Sequence, residues 1–88
     1  MDTEITITLS NGKRRKLKSP DTLETIDGRR KAYFVMNNLQ VFIGYTDGVV
    51  DEDGDFCITW KSIALTGKVL PHGRLLGWAY VNTKRAKK

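Results

Sequence analysis

The side chains in this sequence whose type and spacing best suit chemistry are its bases. Lys13, Arg14, Arg15, Lys16 and Lys18 form one run, Arg29, Arg30 and Lys31 a second, and Lys84, Arg85, Lys87 and Lys88 a third. Lys and Arg neutralise phosphate backbones without reading base sequence, and clustering them raises the local field. Of the 10 acids, Asp47, Asp51, Glu52, Asp53 and Asp55 sit close together, which leaves 15 bases facing 5 acids elsewhere in the chain. A net charge of +5 distributed in this way polarises the molecule. Small β modules that hold single strands add aromatic platforms to a basic groove. The candidates here are Trp60 beside Lys61, and Trp78 and Tyr80 with Arg74. A chain this small also needs its tryptophans for packing, so either use stays open.

The other reactive side chains point to no reaction. His72 is the single histidine and follows Pro71 in a turn signal, which reads as a surface turn residue. Cys57, between Phe56 and Ile58, reads as an ordinary strand residue. Asp51, Asp53 and Asp55 alternate as in a calcium loop. Counting from Asp51, however, puts Gly54 at position 4 and Ser62 at position 12, where an EF-hand needs Gly at 6 and Glu at 12. One Cys and one His cannot build a structural zinc site. Gly44, Gly48 and Gly54 are spaced for turns and not for cradling phosphate. No nucleophile–base pair is marked. The expectation is a binding module without cofactor or metal, not an enzyme.

Length and composition agree with that. The 88 residues suffice for one domain, expected over 1–83, with 84–88 as a basic tail. With a single cysteine no intramolecular disulfide can form, so a reducing cytoplasm is the expected location. No apolar run approaches the roughly 20 residues of a membrane span, and the acidic Met1-Asp2-Thr3-Glu4 without an apolar stretch after it leads to no expectation of a signal peptide.

These side chains must be positioned mostly by strands. Ile5-Thr6-Ile7-Thr8-Leu9 alternates strictly, as a half-buried strand does. A three-residue loop, Ser10-Asn11-Gly12, pairs Ile5 with Leu17 and keeps Ile5, Ile7, Leu9 and Leu17 on one face. Gly12 then falls at the left-handed position of a type I turn with a G1 bulge. Arg14, Lys16 and Lys18 share the outer face with Thr6 and Thr8, while Lys13 and Arg15 lie towards the tip, beyond the core. Ser19-Pro20-Asp21 predicts the start of a short helix that ends at Asp27-Gly28.

Residues 32–36 and 39–46 predict a second hairpin around a two-residue Asn37-Asn38 turn. That register pairs Met36 with Leu39, Phe34 with Val41 and Ala32 with Ile43, and puts Tyr33, Val35, Gln40 and Phe42 on the other face. Both faces are apolar, which suits a covered central hairpin, with an exposed patch at Tyr33 and Phe42 as the alternative. Phe56, Ile58 and Trp60 share one face of a further strand. Ile63 to Val69 is ambiguous between strand and helical turn. Leu75 to Val81 closes the fold, with Leu76, Trp78 and Tyr80 opposite Leu75, Ala79 and Val81.

The fold class expected is mainly β: a small antiparallel barrel or curved sheet of five or six strands with one short helix. The expected function is non-catalytic binding of DNA or RNA, with Lys13, Arg14, Arg15, Lys16, Lys18, Arg29, Arg30, Lys31, Arg74, Lys84 and Arg85 on phosphates. Trp78, Tyr80 or Tyr33 would stack on bases. The competing expectation is a protein-interaction or homo-oligomeric module that uses the acidic loop and the two-sided apolar hairpin.

Overall fold

The computed structural model describes residues 5–9, 12–63 and 65–82. Seven strands run in chain order: β1 (Ile5–Thr8), β2 (Arg14–Leu17), β3 (Ala32–Met36), β4 (Val41–Gly44), β5 (Asp55–Thr59), β6 (Gly67–Pro71) and β7 (Leu75–Tyr80). Two 3-10 helices, Pro20–Thr25 and His72–Arg74, precede β3 and β7. All pairing is antiparallel, in three small sheets: β1-β2, β4-β3-β7 and β5-β6. The expected barrel does not form. Two isolated bridges, Lys18 to Trp78 and Tyr45 to Thr59, tie the sheets into the open order β1-β2-β7-β3-β4-β5-β6. Among the described residues nothing pairs β1 with β6: the β1-β2 hairpin packs on the outer face of the central sheet and the β5-β6 hairpin on its inner face.

The first hairpin has the expected register, with Ile5 opposite Leu17 and Ile7 opposite Arg15. Gly12 has φ +86°, and its N–H donates to the Leu9 carbonyl at 2.9 Å. Ser10 and Asn11 lie outside the described residues.

The second hairpin differs from expectation by one residue: Phe34 faces Phe42 and Tyr33 faces Ile43. Its loop is three residues, Asn37-Asn38-Leu39, closed by Met36 N–H to the Gln40 carbonyl and Leu39 N–H to the Met36 carbonyl, both at 2.8 Å. Leu39 takes the left-handed position at φ +70°, the role Gly12 plays in the first hairpin. The acidic loop repeats the pattern. Asp51 N–H bonds the Asp55 carbonyl, Gly54 N–H bonds the Asp51 carbonyl, and Gly54 has φ +83°. One turn geometry thus recurs three times, with Gly, Leu and Gly at its third position.

Ser19 caps the first 3-10 helix, its Oγ accepting from Asp21 N–H at 3.2 Å, and Pro20 opens the helix as predicted. The helix buries Leu23 beneath the sheet. The main core lies between the inner face of β4-β3-β7 and the β5-β6 hairpin, around Phe34, Phe56, Ile58, Leu70, Leu75 and Trp78. Each large buried side chain contributes roughly 1.5–3 kcal/mol, in a domain whose net stability is only about 5–15 kcal/mol.

A smaller cluster covers part of the outer face of the central sheet, where Leu17, Ile5 and Ile7 of the first hairpin pack on Val35, Leu76 and Ala79. Their approach is close: a Cβ on Gly77 would stand 2.8 Å from the Leu17 Cβ and 2.9 Å from the Lys18 carbonyl oxygen.

A register shift between Val35 and Met36 pairs Val35 with Gly77 and Met36 with Leu75, leaving Leu76 as an extra residue. That bulge corrects the expected faces of the last strand. Leu75 joins Trp78 in the main core, and Leu76 crosses to the smaller cluster with Ala79. The segment left ambiguous resolves as β6 from Gly67, and Trp60 falls just past the end of β5, 58% exposed.

Candidate nucleic-acid interface

The C-terminal end of β7 is where separated basic runs meet. On one side, the Lys18 N–H donates to the Trp78 carbonyl at 2.7 Å and sets β2 alongside β7. Three residues earlier on β2, the Arg15 guanidinium donates from Nη2 to the Val81 carbonyl at 3.1 Å. On the other side, Val81 N–H donates to the Lys31 carbonyl at 2.9 Å, and Arg30 Nη2 donates to the Asn82 carbonyl at 2.6 Å. Two arginines from two different runs therefore grip consecutive carbonyls at the strand's exit. Lys84 and Arg85 lie outside the described residues; they follow Asn82 by two and three positions in the chain.

Arg15 departs from its expected place at the hairpin tip. It faces inward opposite Ile7, half-buried, with Nε buried and unpartnered and Nη1 on its neighbour's carbonyl. A guanidinium so engaged adds field and holds the strand end rather than reaching outward. Arg14, Lys16 and Lys18 are exposed on the outer face as predicted, and Lys13 is exposed near the loop. Alternate strand residues are about 6.6 Å apart, close to twice the 3.4 Å rise of successive phosphates along one duplex strand.

The second run opens a shallow cleft of about 330 Å3, lined by Arg29, Arg30, Lys31, Tyr45, Val81 and Asn82. Its local frame is an Asx turn: Asp27 Oδ1 accepts from Arg29 N–H at 3.0 Å, and the Arg29 Nε lies 3.6 Å from the same oxygen. That backbone hydrogen bond, aided by the charge and side chain of Arg29 and the charge of Arg30, holds the Asp27 carboxyl below the usual carboxylate range against an opposing cost of desolvation. The Arg29 side chain remains 90% exposed.

The aromatic candidates divide differently from expectation. Trp78 is 1% exposed, edge-on to Tyr80 at 5.2 Å, so no base can stack on it. Its Nε1 is buried without a partner. Tyr80 is half-buried; Arg30 covers its ring at 3.7 Å, and its hydroxyl accepts from Asp27 N–H at 2.9 Å. Its ring holds Arg30 in place by a cation–π contact. Arg74 belongs elsewhere. Its carbonyl accepts from Asn37 N–H at the opposite end of β7, roughly 20 Å from the basic cleft by strand rise.

Sequence reasoning missed Tyr45. It lies one position beyond the Ala32–Gly44 pair, across from Lys31, and it lines the cleft. The three-residue loop would have revealed it, since the two-residue register puts Gly44 opposite Lys31. Trp60 adjoins Thr59, which pairs with Tyr45. Tyr33 sits on the same outer face but lines an apolar groove instead.

The acidic loop lies at the far end of β5. Asp51 Oδ1 accepts from the N–H groups of Asp53 and Asp55, both at 2.9 Å, so this carboxylate organises its own turn. Asp47 parts from the loop and sits against Gly28. His72 is half-buried, its Nε2 3.0 Å from the Pro20 carbonyl and its ring edge-on to Phe56, so it pins the helix and is not a free surface residue. Cys57 is an exposed strand residue. Among the described residues, no cluster of three His, Cys, Asp or Glu side chains is placed to hold a metal, and no helix is long and apolar enough to cross a membrane. No family model, curated protein or solved structure matches this chain.

Proposed function

We propose that this protein is a non-catalytic nucleic-acid-binding module whose phosphate-contacting surface is the basic end of β7. The observation that carries the reading is the convergence of Arg15 and Arg30 on the Val81 and Asn82 carbonyls, which sets the first two basic runs on either side of the exit of β7. Arg14, Lys16 and Lys18 on the outer face of β2, with Arg29 and Lys31 at the cleft, supply charges that reach outward. Tyr45 and Trp60 take over the stacking role that burial denies Trp78. The acidic loop at the other end orients the approach of a polyanion by repelling it.

The test is fluorescence anisotropy with labelled single- and double-stranded oligonucleotides at about 50 and 200 mM salt. Several phosphate contacts predict a loss of affinity on the order of a hundredfold or more across that range. Preference for the single strand, lost in Tyr45→Ala and Trp60→Ala, supports stacking. Absence of binding at low salt overturns the reading.

A further inference from the structure

Tyr45 lines two clefts. One is the basic cleft of Arg29, Arg30 and Lys31. The other holds about 260 Å3 and is bounded by Gly28, Cys57, Thr59 and Ser62 as well as Tyr45. Gly28 and Arg29 are consecutive in the chain, so the two clefts adjoin there and meet again at Tyr45. Their chemistry differs. Among the described residues no Lys or Arg lines the second cleft, and Asp47 does, so it is no place for a second phosphate. Its hydroxyls are uncharged groups that hydrogen-bond.

Local structure builds this second cleft. Cys57 and Thr59 alternate along β5 with Phe56 and Ile58, which fill the core, so the first pair turns away from it. Tyr45 and Thr59 exchange both backbone hydrogen bonds at 2.8 Å, which fixes Tyr45 against β5. That approach depends on Gly44, where a Cβ would overlap the Thr59 carbonyl oxygen. The Thr59 hydroxyl donates to the Lys61 carbonyl, which leaves its oxygen to accept. Ser62 is exposed, and its hydroxyl can donate or accept.

We propose that the second cleft receives one unstacked nucleoside, base and sugar, of a single strand whose phosphate lies in the basic cleft. The inference rests on the nucleic-acid reading above and adds the place where a base goes. A nucleotide has the same division as the paired clefts, an anionic end joined over a short distance to a neutral, hydrogen-bonding end. The volume falls a little below the roughly 300 Å3 at which pockets for drug-sized ligands begin, which suits one base with its sugar and no longer segment. Recognition of single strands splays bases out, stacks them on aromatic rings and bonds their edges. Tyr45 supplies the ring, and the hydroxyls of Thr59 and Ser62 supply edge contacts. A bare polyanion has no neutral group to place here, and a duplex keeps its bases stacked.

Cys57 is the only thiol of the chain and is exposed, so its alkylation reads occupancy of this cleft directly. The full chain is reacted with N-ethylmaleimide at low salt, alone and with a single-stranded oligonucleotide, its duplex, an abasic strand of equal length, or polyphosphate. Anisotropy follows binding in parallel. At about ten times its Kd, the base-bearing single strand should slow alkylation roughly tenfold, by mass action. The duplex, the abasic strand and polyphosphate should leave the rate nearly unchanged. Ser62→Leu narrows the cleft and should cut the advantage of the base-bearing strand over the abasic strand by about fivefold or more, the low end for one stacked base. Full-rate alkylation beside a bound single strand overturns the proposal and leaves the phosphate surface standing. So does equal protection by the abasic strand, or an undiminished advantage in Ser62→Leu. A chain that binds no strand at low salt overturns both readings.

Discussion

At the scale of single residues, exposure and engagement decide what a charge or a ring can do. Leu39, held at φ +70° and mostly exposed, gains little packing in return for its strain. A left-handed conformation costs an L-residue roughly 1–2 kcal/mol, and glycine returns about half of that through its looser unfolded chain. Leu39→Gly should therefore stabilise the fold by about 0.5–1 kcal/mol in urea unfolding. Asp27 supplies a pH prediction. Its folded carboxyl titrates below its unfolded value, so the stability it contributes is present above about pH 4 and is lost as pH falls through the lowered value. Asp27→Ala should remove that part of the acid dependence. In anisotropy, Asp27→Asn should tighten oligonucleotide binding, because it deletes a carboxylate set against Arg29. Trp78→Ala should cost about 3–5 kcal/mol and unfold most of the chain, so it reports packing and not stacking. Which bases point outward could be read from alternation along β2. The same alternation turns Arg15 inward opposite Ile7, but its grip on Val81 could not be read, because that carbonyl lies 66 positions away.

At the scale of elements, register proved legible where the turn residue announced itself. Gly12 marks the left-handed position of the first loop, and the pairing of Ile5 with Leu17 follows from it. Asn37-Asn38 mimics a two-residue turn, and Leu39 hides the third, so the second hairpin slips by one and exchanges its faces. The bulge at Leu76 has one signal in the sequence, the isolated Gly77 beside it, and the strict alternation read along this strand overrode that signal. The docking of β2 on β7 rests on the missing side chain at position 77. Gly77→Ala should therefore destabilise the fold by about 1–3 kcal/mol, the usual range for overpacking, and should loosen the grip on Val81. Replacing Arg14, Lys16 and Lys18 with Gln removes the Lys18 ammonium from above the Trp78 ring and should lower the melt only modestly. It should also flatten the salt slope of oligonucleotide binding by roughly 2–3, given about 0.7–0.9 per phosphate contact.

At the scale of the whole molecule, the strand and turn pattern correctly indicated a mainly β, antiparallel chain, but it pointed to one barrel or curved sheet of five or six strands where seven strands form three small sheets among the described residues. Closure requires the outer hairpins to meet, and here they pack on opposite faces of the central sheet, each tied to it by a single bridge, at Trp78 and at Tyr45. The charges lie at opposite ends of β5, about 15–20 Å apart by strand rise. Asp53→Lys should thus strengthen oligonucleotide binding at low salt and lose that effect at physiological salt, where the screening length is about 8 Å. Asp27→Asn, inside the cluster, should keep more of its effect.

The position of β7 has a further consequence. The strand that comes last of the seven lies between β3 and the end of β2, and Leu75 and Trp78 on it complete the main core. A nascent chain that has emerged only as far as β6 can form its hairpins and bring Phe34 to Phe56, but it lacks Leu75 and Trp78 to complete the core. Long-range closure of this kind slows folding, and until β7 arrives the apolar residues of β3 and β4 stand open to passing chaperones. Synthesis of this protein is therefore a wait for its seventh strand.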